Sequence, residues 1–94
     1  ELSLNYYNFA IKLAFKLDDK KSLHFLFSRI GDIYYHIGNS LKALDSYYSA
    51  YSISIKAKNN KWIVGDIIRL AKLHLLTSQY NIANRYINKA LEIA

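Results

Sequence analysis

The sequence predicts an all-α fold of about five helices, arranged as antiparallel hairpins. Three observations lead to this fold class. The 94 residues contain no proline and only three glycines, which favours long, uninterrupted helices. Apolar side chains recur at spacings of three and four residues along most of the chain, the period of a helix face. Short polar breaks separate these apolar stretches at regular intervals.

The first predicted helix covers residues 2–17. Its apolar side chains fall on one helical face, at Tyr6, Phe9, Leu13 and Leu17. The charged segment 18–21 is expected to end this helix, and Ser22 to cap the next one. The N-terminal segment is therefore interpreted as one amphipathic helix.

Residues 27–50 are the most distinctive stretch and are predicted to form a helical hairpin. The helix before the break, residues 23–37, is apolar nearly all round and is expected to lie between neighbouring helices. Gly38 is expected to take a left-handed conformation, with Ser40 as the next N-cap. Small residues are predicted where the two helices approach closely and aromatic ones between them: Gly31, Ala43 and Ala50, with Phe27, Tyr34 and Tyr47.

The second half of the chain repeats this order. A helix over 41–57 precedes a polar segment, 56–61, that is interpreted as a turn. Residues 62–77 again read as a helix that is apolar nearly all round, and Gly65 within it is expected to pack closely against a neighbouring helix. After a break at 78–81, residues 82–94 are predicted to form the last amphipathic helix.

An internal repeat of residue class supports this organisation. Positions 40 residues apart carry similar side chains, as in Ala10, Ala50 and Ala90, or Leu13, Ile53 and Ile93. The same interval relates Arg29 to Arg69. The repeat predicts that two helical hairpins stack in the same orientation.

The alternation of small and large side chains in these hairpins resembles the pattern of the tetratricopeptide repeat (TPR) family. The resemblance is strongest over residues 24–57 and continues over 64–94. The interval is similar to that of longer TPR variants of roughly 40 residues, as in kinesin light chains and bacterial peptide-sensing regulators. The resemblance implies an α-solenoid within one domain, 1–94. Residues 2–17 would be the second helix of a partial repeat, followed by repeats at 22–57 and 61–94.

The same resemblance implies a protein–protein interaction module, a scaffold or adaptor, that binds an acidic or amphipathic peptide in a concave groove. The first helices of the repeats would line that groove with Phe25, Ser28, Arg29, Asp32, Tyr35, His36, Ile68, Arg69, Lys72, Leu75 and Leu76. Arg29 and Arg69 could act together as a clamp for a carboxylate. Alternatively, Arg29 pairs with Asp32 and Arg69 with Asp66, each three residues away on its own helix.

The sequence leaves two alternative functions open. The net charge of +6 and the lysines near two predicted turns could form a basic edge for nucleic acid: Lys16, Lys20, Lys21, Lys56, Lys58 and Lys61. The favoured explanation for these lysines is that they lie at helix C-termini, where they offset the helix dipole. Exposed apolar ends of the stack, at Tyr6 and Phe9 and at Ile87 and Leu91, could instead mediate self-association.

The sequence predicts neither catalytic activity nor a metal site. The chain has no cysteine, its histidines other than His36 have no His or carboxylate at helical ligand spacing, and none of its carboxylates is expected to be paired in an apolar pocket. Asp32 and His36 stand four residues apart and are interpreted as a solvated or hydrogen-bonded pair in preference to a metal or acid–base pair. No catalytic residue, metal or cofactor is therefore expected. No apolar run is long enough to span a bilayer and no signal peptide is recognisable, so a cytoplasmic protein is predicted. The absence of methionine suggests a piece of a longer protein.

Overall fold

The computed structural model describes residues 2–76 and 80–93, apart from the side chains of residues 2, 3, 80, 81, 83 and 84. These residues form α-helices with no strand between them, which confirms the all-α prediction. The helices are α1 (Leu2–Lys16), α2 (Lys20–His36), α3 (Ser40–Ala57), α4 (Asn60–Leu76) and α5 (Tyr80–Ile93).

Each helix packs against the one before it and the one after it in the chain. The resulting body is thin, with principal extents of 36 × 30 × 13 Å. Helices α2 and α4 begin at residues 20 and 60, and α3 and α5 at 40 and 80. The α2–α3 and α4–α5 hairpins are therefore related by the 40-residue interval that the side-chain pattern indicates.

Helices α2, α3 and α4 are each capped by a side chain one position before the first helical residue. Asp19 accepts a hydrogen bond from the Ser22 backbone N–H at 3.1 Å, and Asn39 and Asn59 accept equivalent bonds at 3.2 Å. The predicted caps Ser22 and Ser40 were wrong, because both residues already lie inside helices. Ser22 instead donates its hydroxyl to the Asp19 carboxylate at 2.7 Å.

The turns are shorter than the polar composition predicted. Gly38 adopts the expected left-handed conformation with φ of 83°, and Asp18 and Lys58 do the same at φ of 51° and 54°. The segment 56–61 was predicted as a turn, but only residues 58 and 59 lie between α3 and α4. Three of the four connections thus use the same tight geometry (those after α1, α2 and α3). In the predicted break at 78–81, residues 78 and 79 lie outside the described part of the chain.

The core lies where α2, α3 and α4 meet. Its buried centre is Ala43, Tyr47, Leu70 and Leu73. Gly31 is buried beneath the ring of Tyr47, and any Cβ at this position would overlap that ring, so the predicted close approach of α2 and α3 is confirmed. Gly65 was assigned a similar role, and that was wrong: among described residues, a Cβ there would meet only the Arg69 Nη1 atom, at 3.5 Å.

Candidate functional site

A groove runs between α2 and α4, and most of the side chains that the sequence placed in a binding groove line it. It consists of two adjoining clefts that share Asp32 and Arg69. One, of about 290 Å³, is lined by Lys21, His24, Phe25, Ser28, Arg29 and Trp62 besides the shared pair. The other, of about 280 Å³, adds Tyr35, His36, Tyr47 and Lys72. Because equivalent faces of α2 and α4 lie side by side, residues 40 apart in sequence contribute to one surface.

The apolar part of the predicted groove lies elsewhere. Ile68 lines a separate cleft between α4 and α5, together with Val64, Ile67, Ala71, Ile87, Ala90 and Leu91. Leu75 and Leu76 are exposed and line neither of the α2–α4 clefts. The prediction that Ile68 belongs with Arg69 was wrong, because neighbouring positions on a helix point about 100° apart. The α2–α4 groove is accordingly polar and aromatic.

Beneath the groove lies a buried carboxylate that the sequence analysis missed. Asp66, only 1% exposed, accepts hydrogen bonds from the His24 Nε2 atom, which lies 2.9 Å from both carboxylate oxygens, and from the Ser54 hydroxyl. The His24 ring stacks on Trp62, with centroids 4.7 Å apart. Asp66 thus joins α2, α3 and α4, contrary to the expectation that no carboxylate is paired in an apolar setting.

One sequence signal could have revealed this network. Asp66 is the single acid in α4, a helix that is otherwise apolar nearly all round, and a buried charge requires a partner. Its partner His24 is 42 residues away, beyond the reach of any reasoning based on helical spacing alone.

Arg69 bridges the buried network and the groove surface. Its Nη1 atom lies 3.6 Å from Asp66, and its Nε atom lies 3.8 Å from Asp32. Tyr47 donates a hydrogen bond to Asp32 at 2.7 Å. Burial, reinforced by this bond to a carboxylate, raises the pKa of the Tyr47 hydroxyl, which therefore stays a neutral donor. The pairing predicted between Arg69 and Asp66 exists, whereas Asp32 pairs across the groove instead of with Arg29.

Arg29 is exposed, and it forms no ion pair with any described residue. The groove lining therefore holds four permanent cations, Lys21, Arg29, Arg69 and Lys72, against the single carboxylate of Asp32. Ser28 also lines the groove, but its hydroxyl already donates to the His24 carbonyl at 2.8 Å. His36 is exposed at the far end. The groove has a positive surplus, and Arg29, Lys21 and Lys72 are exposed cations that form no ion pair with a described residue.

The basic edge lies at the end of the molecule where the α1–α2 and α3–α4 turns meet, and all six lysines are exposed. Lys16 and Lys56 occupy the last turns of α1 and α3, as expected for cations that offset a helix dipole. Lys20, Lys21 and Lys61 do not fit that explanation, because they lie in the first turns of α2 and α4. There the helix dipole disfavours a cation.

The buried network is not arranged for nucleophilic catalysis. The Ser54 hydroxyl is fully buried and shares its one proton between the Asp66 carboxylate and the Ala50 carbonyl, so its oxygen is not open to a substrate and the imidazole does not contact it. Among described residues, no group of three His, Cys, Asp or Glu side chains could hold a metal ion. The helices of the described segments are too short or too polar for any of them to cross a membrane.

Comparison of the chain with protein-family models, curated proteins and solved structures gives no match.

Proposed function

We propose that the chain is a TPR-like helical-repeat module that binds an acidic peptide segment in the groove between α2 and α4. The observation that carries this proposal is the positive surplus of the groove lining, in which Arg29 has no acidic partner among the described residues. A guanidinium group offers a planar pair of donors that matches a carboxylate. The 40-residue interval between equivalent helices and their sequential packing support the solenoid arrangement.

Aromatic side chains also line the groove and could contact a bound peptide. Phe25 is 58% exposed at its rim, and Trp62 and Tyr35 are half-buried in its lining. Aromatic side chains at a polar rim are typical of binding surfaces, since they give contact area at a low entropic cost. A suitable ligand would alternate acidic and apolar side chains. Its carboxylates would pair with Arg29 and Lys72, while Arg69 shifts from its two long contacts with the protein's own acids.

A matched pair of arginine variants tests this proposal. The probe is a fluorescein-labelled peptide of alternating Glu and Leu, and its anisotropy measures the dissociation constant. Arg29→Ala should weaken binding by roughly tenfold, as expected for a charge-assisted hydrogen bond of about 1.5 kcal/mol. Arg85→Ala removes the same charge from an exposed position on α5 and should change binding less than about twofold. Equal losses of affinity in both variants, or no binding of the peptide by the parent chain, would refute the proposal that the groove is the binding site.

A second candidate function, binding of a polyanion such as single-stranded nucleic acid along the basic edge, rests on one observation. Lys20, Lys21 and Lys61 lie in the first turns of α2 and α4, where the helix dipole disfavours a cation. This candidate predicts that binding of an oligonucleotide falls steeply with salt. It also predicts that Lys20→Ala/Lys61→Ala weakens binding while Arg29→Ala does not.

A further inference from the structure

Three residues of the α2–α4 groove lie on one stripe of α2, at intervals of four residues. Lys21, Phe25 and Arg29 all line the first cleft of the groove, and all three side chains are exposed. On a helix, positions four residues apart lie one above the other and are separated by about 6 Å along the axis. The stripe therefore presents a cation, an aromatic ring and a second cation at even steps along the groove.

The two cations of this stripe have no acidic partner among the described residues. The acid nearest to Lys21 on the same connection, Asp19, accepts hydrogen bonds from Ser22. Lys21 also lies in the first turn of α2, where the helix dipole disfavours a cation. A ligand carboxylate beside Lys21 would therefore offset a positive charge that no ion pair within the described structure offsets.

The opposite wall of the cleft leaves space beside the ring of Phe25. Helix α4 contributes Trp62 and Arg69 to this wall, and Gly65 lies between them at helical spacing, 40 residues after Phe25. Among described residues, a Cβ added at Gly65 would meet only the Arg69 Nη1 atom, at 3.5 Å, which places Gly65 on the groove side of α4. An apolar side chain of a ligand therefore has room between Phe25 and the α4 backbone.

An extended peptide matches the spacing of the stripe. Alternate side chains on one face of an extended chain are about 6.6 Å apart. Acids at the first and fifth residues of such a segment would thus reach Lys21 and Arg29, with the third residue over Phe25. A helical ligand fits less well, because a helix with its side chains is about 10–12 Å across and this cleft holds only about 290 Å³.

The groove also disfavours the neighbouring registers of such a peptide. A shift by one turn toward the C-terminus of α2 would place one acid over Phe25 and the other beside Asp32, which lines the same cleft. Asp32 is held in place by Arg69 and Tyr47, so two like charges would meet, which opposes binding. A shift in the other direction would leave Arg29 without a carboxylate.

We propose that the α2–α4 groove selects an extended segment of a partner protein with the pattern acid–x–apolar–x–acid, where x is any residue. This inference rests on the proposed function and adds the spacing of the acids to it. No two acids among the 94 residues stand four apart, so a second copy of these residues does not supply the pattern. Because the pattern is the same in both directions, either orientation of the segment satisfies it.

Peptides of identical composition test the spacing. The probe contains Glu-Ser-Leu-Ser-Glu between Gly-Ser flanks and a fluorescein label. The control contains Leu-Ser-Glu-Ser-Glu, in which the acids are only two residues apart. By fluorescence anisotropy, the probe should bind at least about tenfold more tightly than the control, because the control can offer a carboxylate to only one of the two cations.

Matched protein variants locate the contact. Lys21→Glu should weaken binding of the probe by about tenfold and abolish its advantage over the control peptide. Lys20→Glu makes the same charge change at an exposed lysine outside the cleft lining and should change affinity less than about threefold. Both variants place an acid in the first turn of α2, where the helix dipole favours it, so folding should be retained. Phe25→Ala should cost about fivefold, and Phe9→Ala, at an exposed ring on α1, should cost little.

The spacing and the groove can fail separately. A preference for the probe that is lost in Lys21→Glu and kept in Lys20→Glu supports the pattern. Equal affinity for the probe and the control, or failure of the probe where the Glu–Leu peptide still binds through Arg29, overturns the spacing and leaves the proposed function in place. If neither the probe nor the Glu–Leu peptide binds, both are rejected. Tighter binding of an alanine-rich helix that carries the acids and the leucine four residues apart would overturn the extended ligand.

Discussion

The α2–α3 and α4–α5 hairpins occupy equivalent places in the 40-residue repeat, yet they present opposite chemistry to a following helix. The first hairpin presents His24, Asp32 and Tyr47 to α4. Asp66 of α4 contacts His24, and Arg69 of α4 contacts Asp32, which also accepts a hydrogen bond from Tyr47. The second offers Val64, Lys72 and Ile87. One junction is closed by a buried polar network, and the other is an open apolar cleft.

The difference teaches that two equivalent surfaces of one chain can differ in how strictly they fix the position of a helix packed on them. A buried carboxylate tolerates only the arrangement in which all its partners are present, so it penalises misplaced helices. An apolar cleft accepts helices of several sequences, because the hydrophobic effect is not directional. The polar junction would therefore fix internal order, and the apolar one would admit a range of occupants.

The largest expected effect comes from breaking the polar junction. Asp66→Leu removes the acceptor of His24 and of Ser54, and it should lower the free energy of unfolding by about 3 kcal/mol. His24→Val/Asp66→Leu installs at the closed junction the valine found at the open one, and most of that loss should be recovered. Urea denaturation followed by far-UV circular dichroism measures both. A loss in the double variant equal to the sum of the losses in Asp66→Leu and His24→Val alone would show that the two side chains do not act as a pair.

The two glycines in helix interiors should respond in opposite directions. Gly31→Ala gives the first hairpin the small residue of the second, Ala71, but it forces a Cβ into the Tyr47 ring and should cost about 2 kcal/mol. Among described residues, the added Cβ of Gly65→Ala meets only the flexible end of Arg69, so higher helix propensity should stabilise the protein by about 0.5–1 kcal/mol. Thermal unfolding distinguishes the two. Stabilisation by both substitutions would rule out close packing at Gly31.

A smaller effect is expected at the cap of α4, the helix that closes the polar junction. Asn59→Ala removes the side-chain acceptor for the Trp62 backbone N–H and should destabilise the protein by about 1 kcal/mol. Asn88→Ala, at an exposed site within α5, is the control and should be neutral or slightly stabilising. The comparison is made by urea denaturation, and indistinguishable midpoints would contradict the capping role.

The smallest effect is a pH dependence at the start of α2. Hydrogen bonds from the Ser22 side chain and backbone lower the pKa of Asp19 in the folded state below its ordinary value of 3.8. The stabilisation is therefore present above about pH 4 and is lost as the pH falls through the lowered pKa. Asp19→Asn keeps the cap and removes the titration. The variant should match the parent near pH 7 and lose less thermal stability between pH 5 and pH 2, and parallel curves would contradict this assignment.

The helices and their close contacts could be predicted from local sequence, whereas the polar junction could not. Apolar periodicity located all five helices, and the pairing of Gly31 with Tyr47 followed from residue size within one hairpin. The caps were misplaced because Asp19, Asn39 and Asn59 stand in charged or polar runs where composition does not single out one acceptor. The His24–Asp66 contact depends on how two hairpins stack, and a spacing argument within one helix carries no information about that. Ile68 was misplaced for a different reason: neighbouring positions on one helix point about 100° apart, so Ile68 lines the α4–α5 cleft while Arg69 lines the α2–α4 groove.

The most direct test of the central proposal, an acidic peptide in the α2–α4 groove, is a titration of the protein with the Glu–Leu peptide, followed residue by residue in amide NMR spectra. Binding in the groove should give saturable amide chemical-shift changes at Arg29, Asp32 and Lys72, with little change at Arg85. Shifts concentrated at the lysines of the α1–α2 and α3–α4 turns, or no saturable shifts at all, would contradict it.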